Sequence, residues 1–234
     1  MTSQLASPPP ERRPWRPRDA AAVLGWWFVA GVVGYALVEA GGVSATELFG
    51  VVVPVQSLGA VGGVALLAKR RENWREALAV RIARSDWIGL LMGAGLQISM
   101  GIVLVVVVEQ MLGRSLPEQE VVAAAGDALS ALDRVLAVAS LVFLGPLAEE
   151  LVFRGVLLRS LLRGHGTSAA VWISAAAFAA LHLLDPSAWL VTPLLLVLGV
   201  VLGYQTVTTG RLGRAVAMHA GFNLVTVVAL FTVT

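Results

Sequence analysis

The chain contains no cysteine, a single lysine and few charged residues of any kind. The lack of cysteine excludes disulfides, thiolate metal sites and a cysteine nucleophile. Charged residues make up 14% of the 234 residues and hydrophobic residues 57%. Soluble domains carry about 25% charged residues, so this composition indicates an integral membrane protein. The basic residues are not gathered on one soluble face, and nucleic acid is therefore not expected as a partner.

Seven apolar segments are long enough to be membrane-spanning helices, which need about 20 residues each. They are 20–38, 48–68, 87–112, 134–158, 168–184, 188–207 and 213–233. We therefore predict an all-α, polytopic membrane helix bundle. Residues 69–86 mix arginines with Trp74, Leu78 and Ile82 at helical spacing, which is typical of an interfacial amphipathic helix after the second span. The acidic stretch 115–133 is predicted to be a surface excursion.

The basic residues fix the expected topology through the positive-inside rule. All but three of the 17 basic residues precede the first span or follow the second, fourth and sixth, the exceptions being Arg114, Arg134 and Arg154. The N-terminus is therefore expected in the cytoplasm and the C-terminus outside. The preference for arginine over lysine suggests a GC-rich bacterial genome, and hence a bacterial cell membrane.

Three charged side chains lie within six residues of one another in the fourth apolar segment: Glu149, Glu150 and Arg154. A charge at mid-membrane depth costs from about 3 to more than 10 kcal/mol, so such residues usually serve a function. Glu150 and Arg154 are four residues apart, and this spacing predicts an ion pair on one helix face. Glu149 then points elsewhere as the free carboxylate. Pro146 is expected to kink or divide this helix.

Two further pairs of residues, Phe178–His182 and His219–Asn223, have the same four-residue spacing, and each contains a histidine. Glu149 lies 15 residues before the predicted hairpin tip at Gly164 and His182 lies 18 residues after it. At 1.5 Å per residue the two side chains would lie within roughly 5 Å of the same depth, so we expect them to meet. His219 is closer to its own loop and is expected to be shallower.

The chemistry that suits these residues is the activation of water. Desolvation makes a buried carboxylate a better general base, and a neighbouring imidazole can share the proton. His219 and Asn223 can donate hydrogen bonds to an oxyanion. A metal site made of Glu149, His182 and His219, most simply zinc, is the alternative, although the HExxH motif is absent. We favour a mechanism without a metal. Gln97, in the third span, is a minor candidate for lining the cavity.

The three motifs resemble, in order, those of the CPBP (CAAX prenyl protease and bacteriocin-processing, or Abi) family of intramembrane proteases. They are Glu149-Glu150-xxx-Arg154, Phe178-xxx-His182 and His219-xxx-Asn223, and the resemblance spans about residues 134–230. It implies peptide-bond hydrolysis in a membrane cavity, with Glu149 and His182 holding the water and His219 and Asn223 facing the oxyanion. Prenylated C-termini, leader peptides and other membrane-anchored peptides suit this family as substrates, and the metalloprotease mechanism remains the alternative.

The expected organisation is a disordered cytoplasmic tail (1–19), N-terminal transmembrane segments with the amphipathic helix (20–133) and a catalytic core (134–234). A second class of function also fits a chain of intramembrane carboxylates and histidines, namely a non-catalytic membrane scaffold or a proton-coupled transporter. Transporters often show inverted repeats, and none is visible here. The sequence does not indicate an oligomeric state.

Overall fold

The computed structural model describes residues 15–41, 48–69, 74–111, 113, 131–184 and 186–233, and every regular element in these ranges is helical. The helices are α1 (Pro17–Gly41), α2 (Val53–Ala68), α3 (Trp74–Ala77), α4 (Ile88–Val105), α5 (131–161), α6 (Thr167–His182), α7 (Thr192–Thr209) and α8 (Gly213–Val233). A π-helical turn, Leu48–Val52, leads into α2, and another, Val106–Met111, extends α4. The predicted all-α bundle is confirmed.

Five of the long helices, α1, α2, α4, α5 and α7, are long and apolar enough to cross a membrane. Helix α6 has only 16 residues, and α8 carries the polar residues Arg214, His219 and Asn223. All seven predicted spans thus correspond to a helix, with ends shifted by a few residues. The five helices of span length support the prediction of an integral membrane protein.

The amphipathic helix predicted over 69–86 is wrong in its extent. In the described part of this segment, helix α3 covers four residues, and the chain then turns at Ala79, whose φ is +52°. The backbone carbonyls of Ala79 and Arg81 accept hydrogen bonds from Leu212, in the α7–α8 loop, and from Gly213, the first residue of α8. These bonds replace helical ones, and they draw Leu78 into the core, where it is 2% exposed. Most of the acidic stretch predicted as a surface excursion lies outside the described residues.

Helices α4 and α8 pack backbone against backbone along a seam of glycines. A Cβ placed on Gly89 would lie 2.6 Å from the Arg214 carbonyl oxygen, and one on Gly93 would overlap the Met218 carbonyl. From the other side, a Cβ on Gly221 would overlap the Leu90 carbonyl. In lipid, small residues drive helix association by permitting such close approach. The seam fixes the depth and rotation of α8, the helix that carries the third polar motif.

Replacing Gly93 by alanine is expected to push α4 away from α8 and to destabilise the protein by about 3 kcal/mol, the upper range for overpacking, because backbone cannot yield as a side chain can. The matched control is Gly95→Ala, where a Cβ would meet nothing within 4 Å. Thermal unfolding of the purified proteins in detergent compares the two. Equal melting temperatures for both variants would show that the seam is not tight.

Candidate active site

The paired glutamates lie on a short α-helical segment between two π-helical ones. Within α5, Ala139–Leu144 and Leu151–Leu158 are π-helical, and Gly145–Glu150 between them is α-helical. Pro146 stands in the first turn of the central segment, where its missing N–H is tolerated. The predicted interruption at Pro146 is therefore present as a change of helical register. Such π-helical insertions occur often at functional sites.

Glu150 and Arg154 form the predicted ion pair in the interior, since both side chains are 0% exposed. Nη1 of Arg154 lies 2.8 Å from Oε1 of Glu150. Nη2 of Arg154 donates to the Gly199 carbonyl on α7, at 3.1 Å, and the guanidinium lies 4.7 Å from the Phe178 ring centroid. Arg154 thus joins α5, α6 and α7 from inside the bundle.

His219 lies between the two glutamates. Its Nδ1 is 3.0 Å from Oε1 of Glu150, and its Nε2 is 3.6 Å from Oε2 of Glu149. Because an ionised carboxylate only accepts hydrogen bonds, Nδ1 is the nitrogen that carries a proton towards Glu150. The result is a buried series of charged and polar groups that runs from Arg154 through Glu150 and His219 to Glu149.

The expectation that His219 would be shallower than the glutamates is wrong. Leu212, just before α8, is 3% exposed and packs against Gly155 of α5, where a Cβ would lie 3.5 Å from Cδ1 of Leu212. Helix α8 therefore begins inside the bundle and not at its edge. His219 follows Leu212 by seven residues and Glu150 precedes Gly155 by five. At 1.5 Å per residue, the two side chains reach nearly the same depth.

His182 does not pair with Glu149 as expected. Among the described residues no ion pair joins the two, and the imidazole beside Glu149 belongs to His219. Nδ1 of His182 lies 3.0 Å from the Phe178 carbonyl of its own helix, so this nitrogen donates and Nε2 is left as an acceptor. The His182 ring packs edge-on against Phe178, with centroids 4.8 Å apart. Glu149 and His182 do share one cavity.

Phe178 packs in the interior of the bundle. It is 0% exposed and makes edge-on contacts with Phe153 at 5.3 Å and with His219 at 5.7 Å between centroids. Ser174, one turn earlier on α6, donates to the carbonyl of Phe153 in the second π-helical segment, at 3.0 Å. Together these contacts hold α6 against the segment that carries Arg154.

Asn223 has a structural partner that the sequence did not suggest. Its Nδ2 donates to the Leu141 carbonyl, at 2.8 Å, in the first π-helical segment. In π-helical register the expected donor to this carbonyl is five residues on, at Pro146, which has no N–H. Asn223 supplies the missing hydrogen bond, and its amide keeps a second N–H and the side-chain carbonyl for other contacts.

A cavity of about 450 Å³ opens onto Glu149, His182, His219 and Asn223. Its wall is mostly apolar and comes from both halves of the chain. Its other lining residues are Trp27, Val53, Gln56, Ser57, Gln97, Met100, Gly101, Leu104, Ser140, Leu141, Gly145, Pro146, Val191, Leu194, Leu195, Phe222, Thr226 and Val227. The minor candidate Gln97 therefore lines the cavity. Its volume lies within the usual range for ligand sites, about 300–1,000 Å³.

Glu149, His182 and His219 are the three residues that a catalytic zinc would use. Such an ion takes three protein ligands at about 2.0–2.2 Å. Within the described ranges, no three His, Asp or Glu side chains form a group that could hold a metal ion. In addition, both ring nitrogens of His219 face carboxylates. The set Glu149, His182 and His219 is thus not assembled as a metal site in this conformation.

Comparison with protein families places the motifs in a known group. Residues 131–225 match the family described as type II CAAX prenyl endopeptidase Rce1-like. Comparisons with curated proteins and with solved structures give no match. The matched region contains all three motifs and the α5 segment that holds the glutamates, and it supports CAAX-type intramembrane protease activity. Residues 131–225 are therefore similar to the Rce1-like endopeptidases, which agrees with the resemblance to the CPBP family.

Proposed function

We propose that this chain is an intramembrane endopeptidase that hydrolyses peptide bonds of membrane-anchored substrates, with prenylated C-termini and leader peptides as the substrate classes. One observation carries the proposal: the cavity places Glu149 beside a buried imidazole inside a domain that matches a protease family. Glu149 and His182 activate the water, and His219 and Asn223 stabilise the oxyanion. The lipid bilayer is the surrounding solvent.

Glu149 is the proposed general base. Its side chain is 20% exposed, whereas that of Glu150 is 0% exposed and occupied by Arg154 and His219. Glu149 takes a proton from water as the oxygen attacks the peptide carbonyl. It then delivers that proton to the leaving nitrogen, while the second hydrogen of the water stays on the new carboxyl group, so that the products are a carboxylic acid and an amine. With Nδ1 bound to the Phe178 carbonyl, Nε2 of His182 can accept the second hydrogen of the water.

His219 and Asn223 are the proposed oxyanion donors. Donation from His219 requires a proton on Nε2 as well as on Nδ1. Asn223 is held by Leu141 and offers its second N–H. Preorganised donors of this kind are usually the largest single contribution to catalysis.

The orientation in the membrane is also part of the proposal, with the N-terminus in the cytoplasm and the C-terminus outside, as the positive-inside rule predicts. A reporter fused after Thr234 is expected to give an extracytoplasmic signal, and one fused near Arg163 a cytoplasmic signal. A cytoplasmic signal at Thr234 would contradict the orientation, and the short α6 would then be the first span to re-examine.

The central test is cleavage of a membrane-anchored peptide library by the purified protein, with and without a strong chelator, together with elemental analysis. We expect cleavage that survives chelation and no stoichiometric zinc. Zinc at one equivalent, with activity lost on removal and restored on addition, would instead establish a metal site at Glu149, His182 and His219. If no peptide is cut under any condition, the scaffold or proton-coupled transporter replaces the protease.

A further inference from the structure

Part of the cavity wall comes from helices outside the region that matches the protease family. Helix α2 contributes Gln56 and Ser57, and α4 contributes Gln97, Met100 and Leu104. These residues precede 131, where the family match begins. A substrate in the cavity would therefore touch side chains that the family domain does not supply.

Gln97 is the best-positioned of these polar residues. Its Nε2 donates to Oγ1 of Thr226 on α8, at 2.9 Å. Gly89, Gly93 and Gln97 follow one another at four-residue intervals, so the glycine seam and Gln97 share one face of α4. The seam that holds α4 against α8 thus also holds the Gln97 amide beside Thr226.

The distance of Gln97 from the reacting groups can be measured along α8. Thr226 lies seven residues beyond His219, which at 1.5 Å per residue is about 10 Å along the helix axis. An extended peptide advances about 3.3 Å per residue. A substrate strand with its scissile bond beside His219 would therefore bring its third residue to the level of Gln97.

We propose that Gln97 binds the main chain of the substrate about three residues from the scissile bond, and so sets where an extended peptide is cut. This inference rests on the proposed protease function. A glutamine amide suits a peptide group, because it offers a carbonyl acceptor and two N–H donors, of which Thr226 occupies one.

The surroundings favour an apolar peptide segment as the bound group. Among the described residues that line the cavity, Glu149, His182 and His219 are the titratable ones. Met100, Leu104, Leu194 and Leu195 provide apolar wall that can accept aliphatic side chains or a lipid chain. A single main-chain contact in such a wall aligns the peptide without requiring a particular side chain at that position.

The test uses a membrane-anchored peptide that the wild-type protein cleaves, together with a series of its analogues. In each analogue one backbone amide is replaced by an ester, at a position two to four residues before or after the scissile bond. For Gln97→Ala we expect KM to rise about tenfold with kcat within about twofold of wild type. The matched control is Gln205→Ala on α7, which does not line the cavity and should leave both constants unchanged. An ester about three residues away should raise KM for wild type and have no further effect on Gln97→Ala.

Each possible result supports or contradicts the proposed role of Gln97. Unchanged KM for Gln97→Ala, or equal sensitivity of both proteins to the ester, would overturn the inference while leaving the proposed protease in place. If Gln97→Ala does not fold, Thr226→Val with the same ester series replaces it, and an undiminished ester effect would count against the inference. If the wild type cleaves nothing, the protease proposal fails. Binding of the amide and ester peptides then tests Gln97 alone, and equal affinities would refute its role.

Discussion

Replacing Glu149 by glutamine is expected to stop peptide hydrolysis while leaving the protein folded. The amide keeps the size and shape of the side chain but cannot take a proton from water. General bases contribute about 10²–10⁴-fold to such reactions, and we expect a loss at the upper end of this range because Glu149 also returns the proton to the leaving nitrogen. The side chain is 20% exposed, and the ion-pair contact that it makes among the described residues is with His219, at 3.6 Å, so the fold loses little.

The measurement pairs kcat on a membrane-anchored peptide with the melting temperature in detergent. Glu39→Gln is a suitable control, because it makes the same chemical change at an exposed position on α1. This control should match wild type in both measurements. Wild-type turnover by Glu149→Gln would remove Glu149 from the proposed mechanism, and a large fall in its melting temperature would show that the carboxylate is structural.

Composition and spacing were sufficient to predict the membrane bundle and the members of the polar site. Apolar runs of span length are a strong signal because lipid cannot satisfy a free backbone, and so each run must be a helix. The four-residue interval between Glu150 and Arg154 predicted their ion pair, since such residues share a helix face. Both results depend on local periodicity, which a sequence displays directly.

The partner of Glu149 could not be predicted in this way, because it depends on where α8 begins. Depth was counted from the ends of apolar runs, but Leu212 lies buried against Gly155 and sets the start of α8 inside the bundle. The same packing brings His219, and not His182, beside the glutamates. The sequence displays the small residues Gly89 and Gly93, but it does not indicate that the helix packed against them is α8.

The π-helical segments and residues 69–86 show a second limit of prediction from the sequence. The pattern of hydrophobic residues does not distinguish α-helical from π-helical register in a largely apolar helix. Apart from Pro146, nothing in the sequence therefore indicated that Asn223 would donate a hydrogen bond to the Leu141 carbonyl. Similarly, the arginines of 69–86 suggested an interfacial helix. One reason that the segment is not helical throughout is tertiary: Asp86, 3% exposed, is bound by Arg211 of the α7–α8 loop at 2.9 Å.

Removing either partner of the buried Glu150–Arg154 pair is expected to destabilise the protein by about 3–5 kcal/mol, because the other charge loses its ion-pair partner in a low-dielectric interior. Glu150→Met leaves Arg154 without the carboxylate that it contacts, and Arg154→Met leaves Glu150, which is 0% exposed, with His219 as its remaining partner. Replacing both charges with apolar side chains of similar size is often nearly neutral. The double variant Glu150→Met/Arg154→Met should therefore melt much closer to wild type than either single variant.

Activity should not recover with stability in the double variant. Oε1 of Glu150 is the partner of Nδ1 of His219, at 3.0 Å, and no carboxylate replaces it in the methionine pair. Without this partner the ring is free to rotate and His219 loses its orientation towards Glu149. Melting temperatures and kcat for the wild type, the two single variants and the double variant form a complete cycle. A stable and fully active double variant would show that the pair serves only the fold, and a double variant no more stable than the single ones would show that its two charges are not coupled.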